Sequence, residues 1–161
     1  MDADRSVEDL AEECARSALG RGLWVVAAES LTSGQIAAAL GKAPDAADWF
    51  AGSIVAYSNE TKYRVLGVDR GPVITAAAAR QMAIGALDLT GADIAVAVTG
   101  AGGPGPEEGQ PAGTVYLACG TRKAGVDVTE LHFDGEPGDV VRQTVISALT
   151  GLLREMLPRR Q

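Results

Sequence analysis

The chain has 161 residues, a length typical of a single domain that buries one hydrophobic core. Hydrophobic residues make up 47% of it and charged residues 22%, which excludes a disordered or fibrous protein. The formal net charge is −7, whereas proteins that bind nucleic acid carry clustered Lys and Arg on their surface. We therefore predict one domain over residues 1–161 that does not bind nucleic acid.

Helical and strand-like segments alternate along the chain. Helices are predicted where apolar residues recur every three or four positions, and strands where a short apolar run is continuous. In chain order the predicted elements are a helix at 7–19, a strand at 23–28, a short helix at 35–40, a strand at 53–57, helices at 60–66 and 76–89, a strand at 93–99, the paired strands TVYLACG and VDVTELHF, and a helix at 137–156. This order predicts a three-layer α/β/α sandwich around a mixed, mainly parallel sheet with one late antiparallel hairpin.

Capping residues support these boundaries. The predicted N-caps are Ser6, Asn59 and Thr75, with Thr32 or Ser33 for the short helix. Gly67 is predicted to end the helix that follows Asn59.

Three polar segments follow predicted strands, at residues 29–34, 58–62 and 99–113. In sheets of this type ligands bind at the carboxyl ends of the strands. We therefore expect the functional residues in these three segments.

Ser30 is the candidate nucleophile. It lies between the first strand and a helix, so a tight turn would present its hydroxyl, and the free N–H groups of the helix would face the group that it attacks. An alternative interpretation is that Ser30, Thr32 and Ser33 form only a capping cluster.

A serine nucleophile needs a base. The only histidine, His132, lies in a late strand, far along the chain from Ser30. Of the three lysines, only Lys62 belongs to a segment that leaves a strand end, and Tyr57 is placed there to relay a proton. The alternative is that Lys62 is an ordinary surface residue of a helix.

The stretch GAGGPG at residues 100–105 matches the dinucleotide-binding pattern, but the prolines that follow prevent the helix which that motif requires. A loop whose exposed backbone N–H groups bind an anion is the better interpretation. Cys14, Cys119 and His132 show no metal-ligand spacing, so we predict neither a metal nor a cofactor.

The chain begins with MDADRSVEDL, which has no positively charged region leading into an apolar one. No apolar run reaches the length of a membrane span. We expect a cytoplasmic protein that does not bind membranes.

Four segments, in this order and spacing, resemble a known family: AESLTSG, YSNETKYRVLGV, MAIGAL and AVTGAGGPGPEEGQPAGTVYLA. The resemblance is to the competence/damage-inducible protein CinA family, and within it to the C-terminal domain that occurs alone as nicotinamide-nucleotide amidase. It covers residues 7–155. It implies metal-free hydrolysis of the carboxamide of nicotinamide mononucleotide, with release of ammonia, and a homo-oligomeric state.

The resemblance also implies a catalytic group of Ser30, Tyr57 and Lys62, and matches Arg142 to an arginine of the family's C-terminal motif. The substrate phosphate would lie at a helix N-terminus or at the loop of residues 100–105. The residues predicted to bind substrate are Glu29, Thr32, Ser33, Gly34, Asn59, Thr99, Gly100, Ala101, Gly102, Gly103 and Arg142.

The chain departs from the family pattern at several positions. AESLTSG stands where AESCTGG is common, and a glycine near residue 138 replaces the arginine of a Gly-Asp-Arg motif. The Ser, Tyr and Lys set is retained. Two alternatives to amidase activity on this nucleotide stay open: a noncatalytic domain that binds a nucleotide or a partner, and the same machinery acting on a different amide.

Overall fold

The computed structural model describes residues 5–158, so part of the N-terminal stretch used to predict localisation lies outside it. The elements are α1 (Val7–Arg21), β1 (Val25–Glu29), α2 (Gln35–Gly41), a 3-10 turn (Ala46–Asp48), β2 (Phe50–Val55), α3 (Asn59–Leu66), α4 (Ala76–Thr90), β3 (Ile94–Gly100), β4 (Thr114–Thr121), β5 (Gly125–His132) and α5 (Pro137–Met156). None of the helices in this part of the chain has the length and apolar character needed to cross a bilayer.

The five strands form one mixed sheet in the order β2-β1-β3-β4-β5. β1 pairs in parallel with β2 and with β3, whereas β3–β4 and β4–β5 are antiparallel pairs. The predicted α/β sandwich with a late hairpin is confirmed.

Helices cover both faces of the sheet. One hydrophobic cluster joins α1, α2 and α5 to alternate strand residues such as Ala27 and Val96. The other joins α3 and α4 to the intervening strand residues, among them Ala28 and Ala97. Because successive strand residues point to opposite faces, β1 is buried along its whole length, as its continuous apolar run predicts.

The connections that leave β1 and β2 cross to opposite faces of the sheet. α2, which follows β1, buries Ile36 and Leu40 in the cluster with α1 and α5. α3, which follows β2, buries Leu66 in the cluster with α4. The two connections therefore begin at the carboxyl ends of neighbouring parallel strands, the end of the sheet at which α/β proteins bind ligands.

β2 begins earlier and ends earlier than the predicted strand at 53–57. Its pairing with β1 starts at Phe50 and continues through an irregularity near Gly52, whose φ is 135°. At Ala56 the chain leaves the sheet, with the Ala56 N–H donating to the Glu29 carbonyl oxygen at 2.8 Å. Pairing with a strand distant in sequence sets these bounds, and local hydrophobicity does not reveal it.

Two predicted N-caps are wrong and two are confirmed. Ser6 and Thr75 cap α1 and α4 through their side chains. The side chain of Ser58 caps α3, and Asn59 is the first residue of that helix. Gly67 ends α3 in a left-handed conformation, as predicted.

The N-cap of α2 is Gly34, and neither predicted candidate caps this helix. The hydroxyl of Thr32 donates a hydrogen bond to the buried Glu29 carboxylate, and Ser33 adopts a left-handed conformation with φ 52°. The buried acid competes for the group that would otherwise cap the helix.

α3 and α4 approach closely at Gly85. A Cβ atom built on Gly85 would lie 2.1 Å from the carbonyl oxygen of Leu66, so only glycine fits at this point. The contact sets the position of α3, the helix that carries Lys62, one turn before Leu66.

Candidate active site

Ser30 directly follows β1 in a tight turn. The Ser30 carbonyl oxygen accepts a hydrogen bond of 3.1 Å from the Ser33 N–H, and left-handed backbone at Ser33 and Gly34 leads the chain into α2. Ser30 is only 8% exposed, yet its hydroxyl makes no hydrogen bond to any other residue within 5–158. Its position fits the predicted nucleophile, whose catalytic role stays a prediction.

The Glu29 carboxylate fills the space beneath this turn. Glu29 is 0% exposed. Its two oxygens accept five hydrogen bonds, from Thr32 Oγ1 at 2.7 Å, Gly34 N at 3.2 Å, Ile36 N at 2.9 Å, Ala37 N at 3.0 Å and Ser53 Oγ at 2.7 Å.

These contacts correct two expectations. The N–H groups at the start of α2 were expected to face the group under attack, but three of them donate to Glu29. Glu29 was predicted to bind substrate, but its side chain is enclosed by protein donors. Within residues 5–158, the N–H groups of Leu31 and Thr32 in this turn have no protein acceptor.

Lys62 is buried in the first turn of α3. Its side chain is 2% exposed, and its Nζ donates to the Tyr57 carbonyl oxygen at 3.0 Å. Burial lowers the pKa of this amine, and the negative charges of Glu108 and Glu107 partly oppose the shift. The interpretation of Lys62 as an ordinary surface residue is wrong, because the amine is enclosed.

Tyr57 lies at the end of β2 with its side chain 67% exposed. Its hydroxyl has no hydrogen-bond partner in the described chain, and its main-chain oxygen alone contacts Lys62. No hydrogen bond joins Ser30 to Lys62 or to Tyr57 within residues 5–158. The structure therefore brings the three predicted catalytic residues to one edge of the sheet without a direct bond between the serine and its candidate base.

The loop that follows β3 is held over this edge by Glu108. The Glu108 carboxylate accepts hydrogen bonds from the N–H groups of Val73, at 3.0 Å, and Ile74, at 2.8 Å. The Thr99 hydroxyl donates to the Val73 carbonyl oxygen at 2.9 Å, so Thr99, predicted to bind substrate, is engaged within the protein. The segment before α4 is thereby fastened to the loop by Glu108 and to β3 by Thr99.

The glycines of this loop allow close approach between backbones. A Cβ atom on Gly100 would lie 2.6 Å from the Thr114 carbonyl oxygen. One on Gly102 would be 3.9 Å from Leu31 Cβ, and one on Gly103 would be 3.9 Å from Pro137 Cγ. Gly102 and Gly103 therefore lie between the Ser30 turn and the start of α5.

Ala101 differs from its neighbours because its backbone is fully paired. Its N–H donates to Thr114 O at 2.9 Å, and its carbonyl oxygen accepts from Gly113 N at 2.8 Å. The N–H groups of Gly102 and Gly103 have no acceptor among the described residues and are therefore open to an anion.

The two remaining predicted binding residues are exposed. Asn59 opens α3, and Arg142 lies on the second turn of α5, with no side-chain partner for either in residues 5–158. His132 is on β5, separated from β1 by β3 and β4, and its Nε2 lies 3.3 Å from Glu130. The geometry gives His132 no part in this site.

Sequence reasoning missed three residues at this edge. Ser53 hydrogen-bonds Glu29 across the sheet, and Glu108 anchors the loop near Lys62. Thr114 begins β4 with a buried Oγ1 that has no hydrogen-bond partner in the described chain. The adjacent acids Glu107 and Glu108, inside a Gly- and Pro-rich loop, were the one signal available in the sequence.

Nothing in the described part of the chain resembles a metal centre. No group of three His, Cys, Asp or Glu side chains in residues 5–158 is arranged to hold an ion. Cys14 and Cys119 are buried, and burial raises the pKa of the Cys14 thiol to about 12. These thiols are small apolar groups of the core.

Relatives of known structure share this fold. A protein of the CinA superfamily from Klebsiella pneumoniae has a TM-score of 0.89 and 35% sequence identity, over 94% of this chain and 98% of that one. The competence/damage inducible protein CihA from Agrobacterium tumefaciens has a TM-score of 0.88 and 34% identity, over 94% and 96% of the two chains.

Relatives by sequence fall into two sizes. A putative competence-damage inducible protein from Lacticaseibacillus casei is 36% identical over 152 residues, but the matched region is only 37% of that protein's length. The nicotinamide-nucleotide amidohydrolase PncC of Enterobacter agglomerans is 31% identical over 96% of this chain and 98% of its own length. The PncC of Pseudomonas putida is 43% identical over 81% and 84% of the two chains.

The family model described as the CinA C-terminal domain matches residues 7–156, almost the whole of the described fold. The chain belongs to the family of the CinA C-terminal domain.

Proposed function

We propose that this protein is an amidohydrolase that converts the carboxamide of nicotinamide mononucleotide to the carboxylic acid, with release of ammonia. The observation that carries the proposal is that the connections leaving the neighbouring strands β1 and β2 carry a serine hydroxyl without a protein partner and a buried amine of lowered pKa. The relatives of similar length named nicotinamide-nucleotide amidohydrolase support the choice of substrate.

In the proposed reaction the Ser30 hydroxyl loses its proton to the neutral Lys62 amine, directly or through the Tyr57 hydroxyl. The serine oxygen then attacks the carboxamide carbon and forms a tetrahedral oxyanion. The Lys62 ammonium returns the proton to the amide nitrogen, the carbon–nitrogen bond breaks, and ammonia leaves. The product of this half of the reaction is an ester on Ser30.

Water completes the cycle by the same proton path in reverse. Lys62 accepts a proton from the water that attacks the ester, and the proton passes to the Ser30 oxygen as it leaves. The nucleotide departs with a carboxylate in place of the amide. No electron transfer is required.

The N–H groups with no protein acceptor are the candidates for stabilising the oxyanion and the phosphate. Those of Leu31 and Thr32 belong to the Ser30 turn, and those of Gly102 and Gly103 belong to the loop, which approaches Leu31 at Gly102. We assign the oxyanion to this set, since preorganised backbone donors stabilise charge that develops in the transition state. The exposed Arg142 is our candidate for the substrate phosphate.

The direct test is ammonia release from nicotinamide mononucleotide by the purified protein. Ser30→Ala and Lys62→Ala should each lower kcat by at least about 100-fold, the range seen when a nucleophile or its base is removed. Matched controls are Ser147→Ala on α5 and Lys42→Ala at the end of α2, which should retain activity. Acid quenching during turnover should leave an acyl adduct on Ser30 that mass spectrometry locates.

A noncatalytic nucleotide-binding domain is the second candidate, favoured by the lack of a hydrogen bond between Ser30 and Lys62 in residues 5–158. Calorimetric binding of the nucleotide by a wild type that releases no ammonia would establish this function. Competition among nicotinamide mononucleotide, other amide-bearing nucleotides and free nicotinamide separates a change of substrate from a loss of catalysis. We also propose a homo-oligomer, which light scattering of the purified protein tests.

A further inference from the structure

The Glu29 carboxylate connects three parts of the structure that surround Ser30. It belongs to the last residue of β1, accepts from three N–H groups at positions 34–37 near the start of α2, and accepts from the Ser53 hydroxyl on β2. The fifth donor, Thr32 Oγ1, belongs to the turn itself. Ser30 directly follows Glu29 and is the first residue of the turn.

A carboxylate suits this position better than other side chains. An ionised carboxylate only accepts hydrogen bonds, and five donors converge on its two oxygens. A glutamine would place its NH₂ group against at least one of these donors. The negative charge also lies at the positive end of α2.

The main chain of Glu29 is fixed as firmly as its side chain. The Glu29 carbonyl oxygen accepts from Ala56 N at 2.8 Å, and Glu29 is in register with Val55 of β2. The chain is therefore held immediately before Ser30 by the sheet and again from position 32 onward by the carboxylate. Only Ser30 and Leu31 bridge the two anchors.

We propose that Glu29 is a positioning residue that sets the direction of the Ser30 hydroxyl and of the free N–H groups beside it. The inference rests on the proposed function, in which Ser30 is the nucleophile. It replaces the expectation that Glu29 contacts the substrate. A group that fixes the nucleophile without touching the substrate affects the chemical step and leaves substrate binding nearly intact.

The informative variant is Ser53→Ala, which removes one donor and leaves the carboxylate in place. We expect kcat to fall by about 3-fold to 10-fold with KM nearly unchanged, because misplacement of reacting groups by fractions of an ångström slows the chemical step. Glu29→Gln should lower kcat by about 100-fold on the same grounds. The matched control is Thr144→Val on α5, which removes a buried hydroxyl that donates to Val140 O at 2.7 Å.

A role in folding alone would lower the thermal midpoint of Ser53→Ala and Thr144→Val alike and would leave kcat of both unchanged at a temperature where they are folded. That outcome would overturn the inference. Should Glu29→Gln not fold, Ser53→Ala decides the matter by itself.

Hydrogen exchange gives a readout that does not depend on the substrate. The amides of residues 31–37 should exchange faster in Ser53→Ala than in the wild type, and those of Thr144→Val should not change there. Equal exchange in all three proteins contradicts the positioning role. An active Ser30→Ala, by contrast, overturns the proposed function, so the two failures are distinguishable.

Discussion

The amine of Lys62 donates a hydrogen bond of 3.0 Å to the main-chain oxygen of Tyr57, five residues earlier in the chain. A neutral amine has two N–H groups and one lone pair, so this bond can persist while the lone pair accepts a proton. The contact fixes the nitrogen at the carboxyl end of β2, beside the strand that leads to Ser30. The same bond, at a buried site, explains how a lysine can be held in place without an acid partner.

Replacement of Lys62 by methionine should separate stability from activity. Lys62→Met removes a buried amine and keeps a flexible side chain of similar length, so we expect a free energy of unfolding at pH 7 about 1 kcal/mol higher than in the wild type and no amidase activity. Chemical denaturation and ammonia release measure the two effects.

The gain in stability should depend on pH. Burial lowers the pKa of Lys62 in the folded chain below its ordinary value of 10.5, so in the window between the two values the unfolded chain binds more protons. Wild-type stability therefore rises with pH through that window, and the advantage of Lys62→Met should shrink as the pH approaches 10.5. An advantage that grows with pH would contradict the assignment.

Removal of a negative charge near Lys62 should shift the acidic limb of the pH–rate profile to lower pH. Glu108 and then Glu107 raise the pKa of Lys62 against the effect of burial. Glu107→Gln removes one charge and none of the side-chain hydrogen bonds that hold the loop, so the pKa falls and the acidic limb of kcat/KM shifts to lower pH.

Glu108→Gln is the companion variant. It removes a charge and also weakens the bonds to Val73 and Ile74, so it should lower the thermal midpoint as well. A shift to higher pH in Glu107→Gln would show that the titrating group is not Lys62.

The Tyr57 hydroxyl is required only if it relays the proton. Because this side chain is 67% exposed, Tyr57→Phe should change the free energy of unfolding by less than about 0.5 kcal/mol. Its kcat should fall by at least about 10-fold if the relay operates. The control is Tyr63→Phe, which removes the hydroxyl that donates to Gly71 O at 2.6 Å and should leave kcat unchanged. A fully active Tyr57→Phe leaves direct transfer between Ser30 and Lys62 as the proton path.

A side chain at Gly85, where α3 and α4 approach closely, should destabilise the protein. Gly85→Ala places a Cβ atom 2.1 Å from a backbone oxygen, so we expect a loss of about 1–3 kcal/mol from forced backbone movement. Gly151→Ala is the control, since its Cβ atom would lie 3.5 Å from Leu117 and helix propensity favours alanine by up to about 1 kcal/mol. Urea denaturation compares them, and equal stability of the two variants would contradict the packing argument.

Much of the fold was predictable because short segments of the sequence carry the signals for their own secondary structure. The buried strands are continuous apolar runs, and the ends of α1, α3 and α4 carry capping side chains or glycines. The bounds of β2 were not predictable, because pairing with β1 sets them. The cap of α2 was not predictable either, since a buried acid takes the Thr32 hydroxyl.

The candidate site also has a part that the sequence predicts and a part that it does not. Ser30 and Lys62 follow strands, and residues at the ends of neighbouring parallel strands must meet. The acids that raise the pKa of Lys62 against burial belong to a loop that Glu108 fastens to Val73, a contact between residues 35 positions apart. The proposed role of Glu29 involves Ser53, which the register between β1 and β2 brings near.

α2, which follows Ser30, and α3, which carries Lys62, pack on opposite faces of the sheet. The residues that hold Ser30 in place are therefore different from those that hold Lys62. We therefore expect substitutions of residues packed against α2 to displace chiefly Ser30, and substitutions of residues packed against α3 to displace chiefly Lys62. A substitution that moves one of these two side chains can therefore be compensated by a second substitution on the opposite face of the sheet, with Ser30 and Lys62 themselves unchanged. We expect sequences that diverge in this family to preserve activity through compensating pairs drawn one from each face.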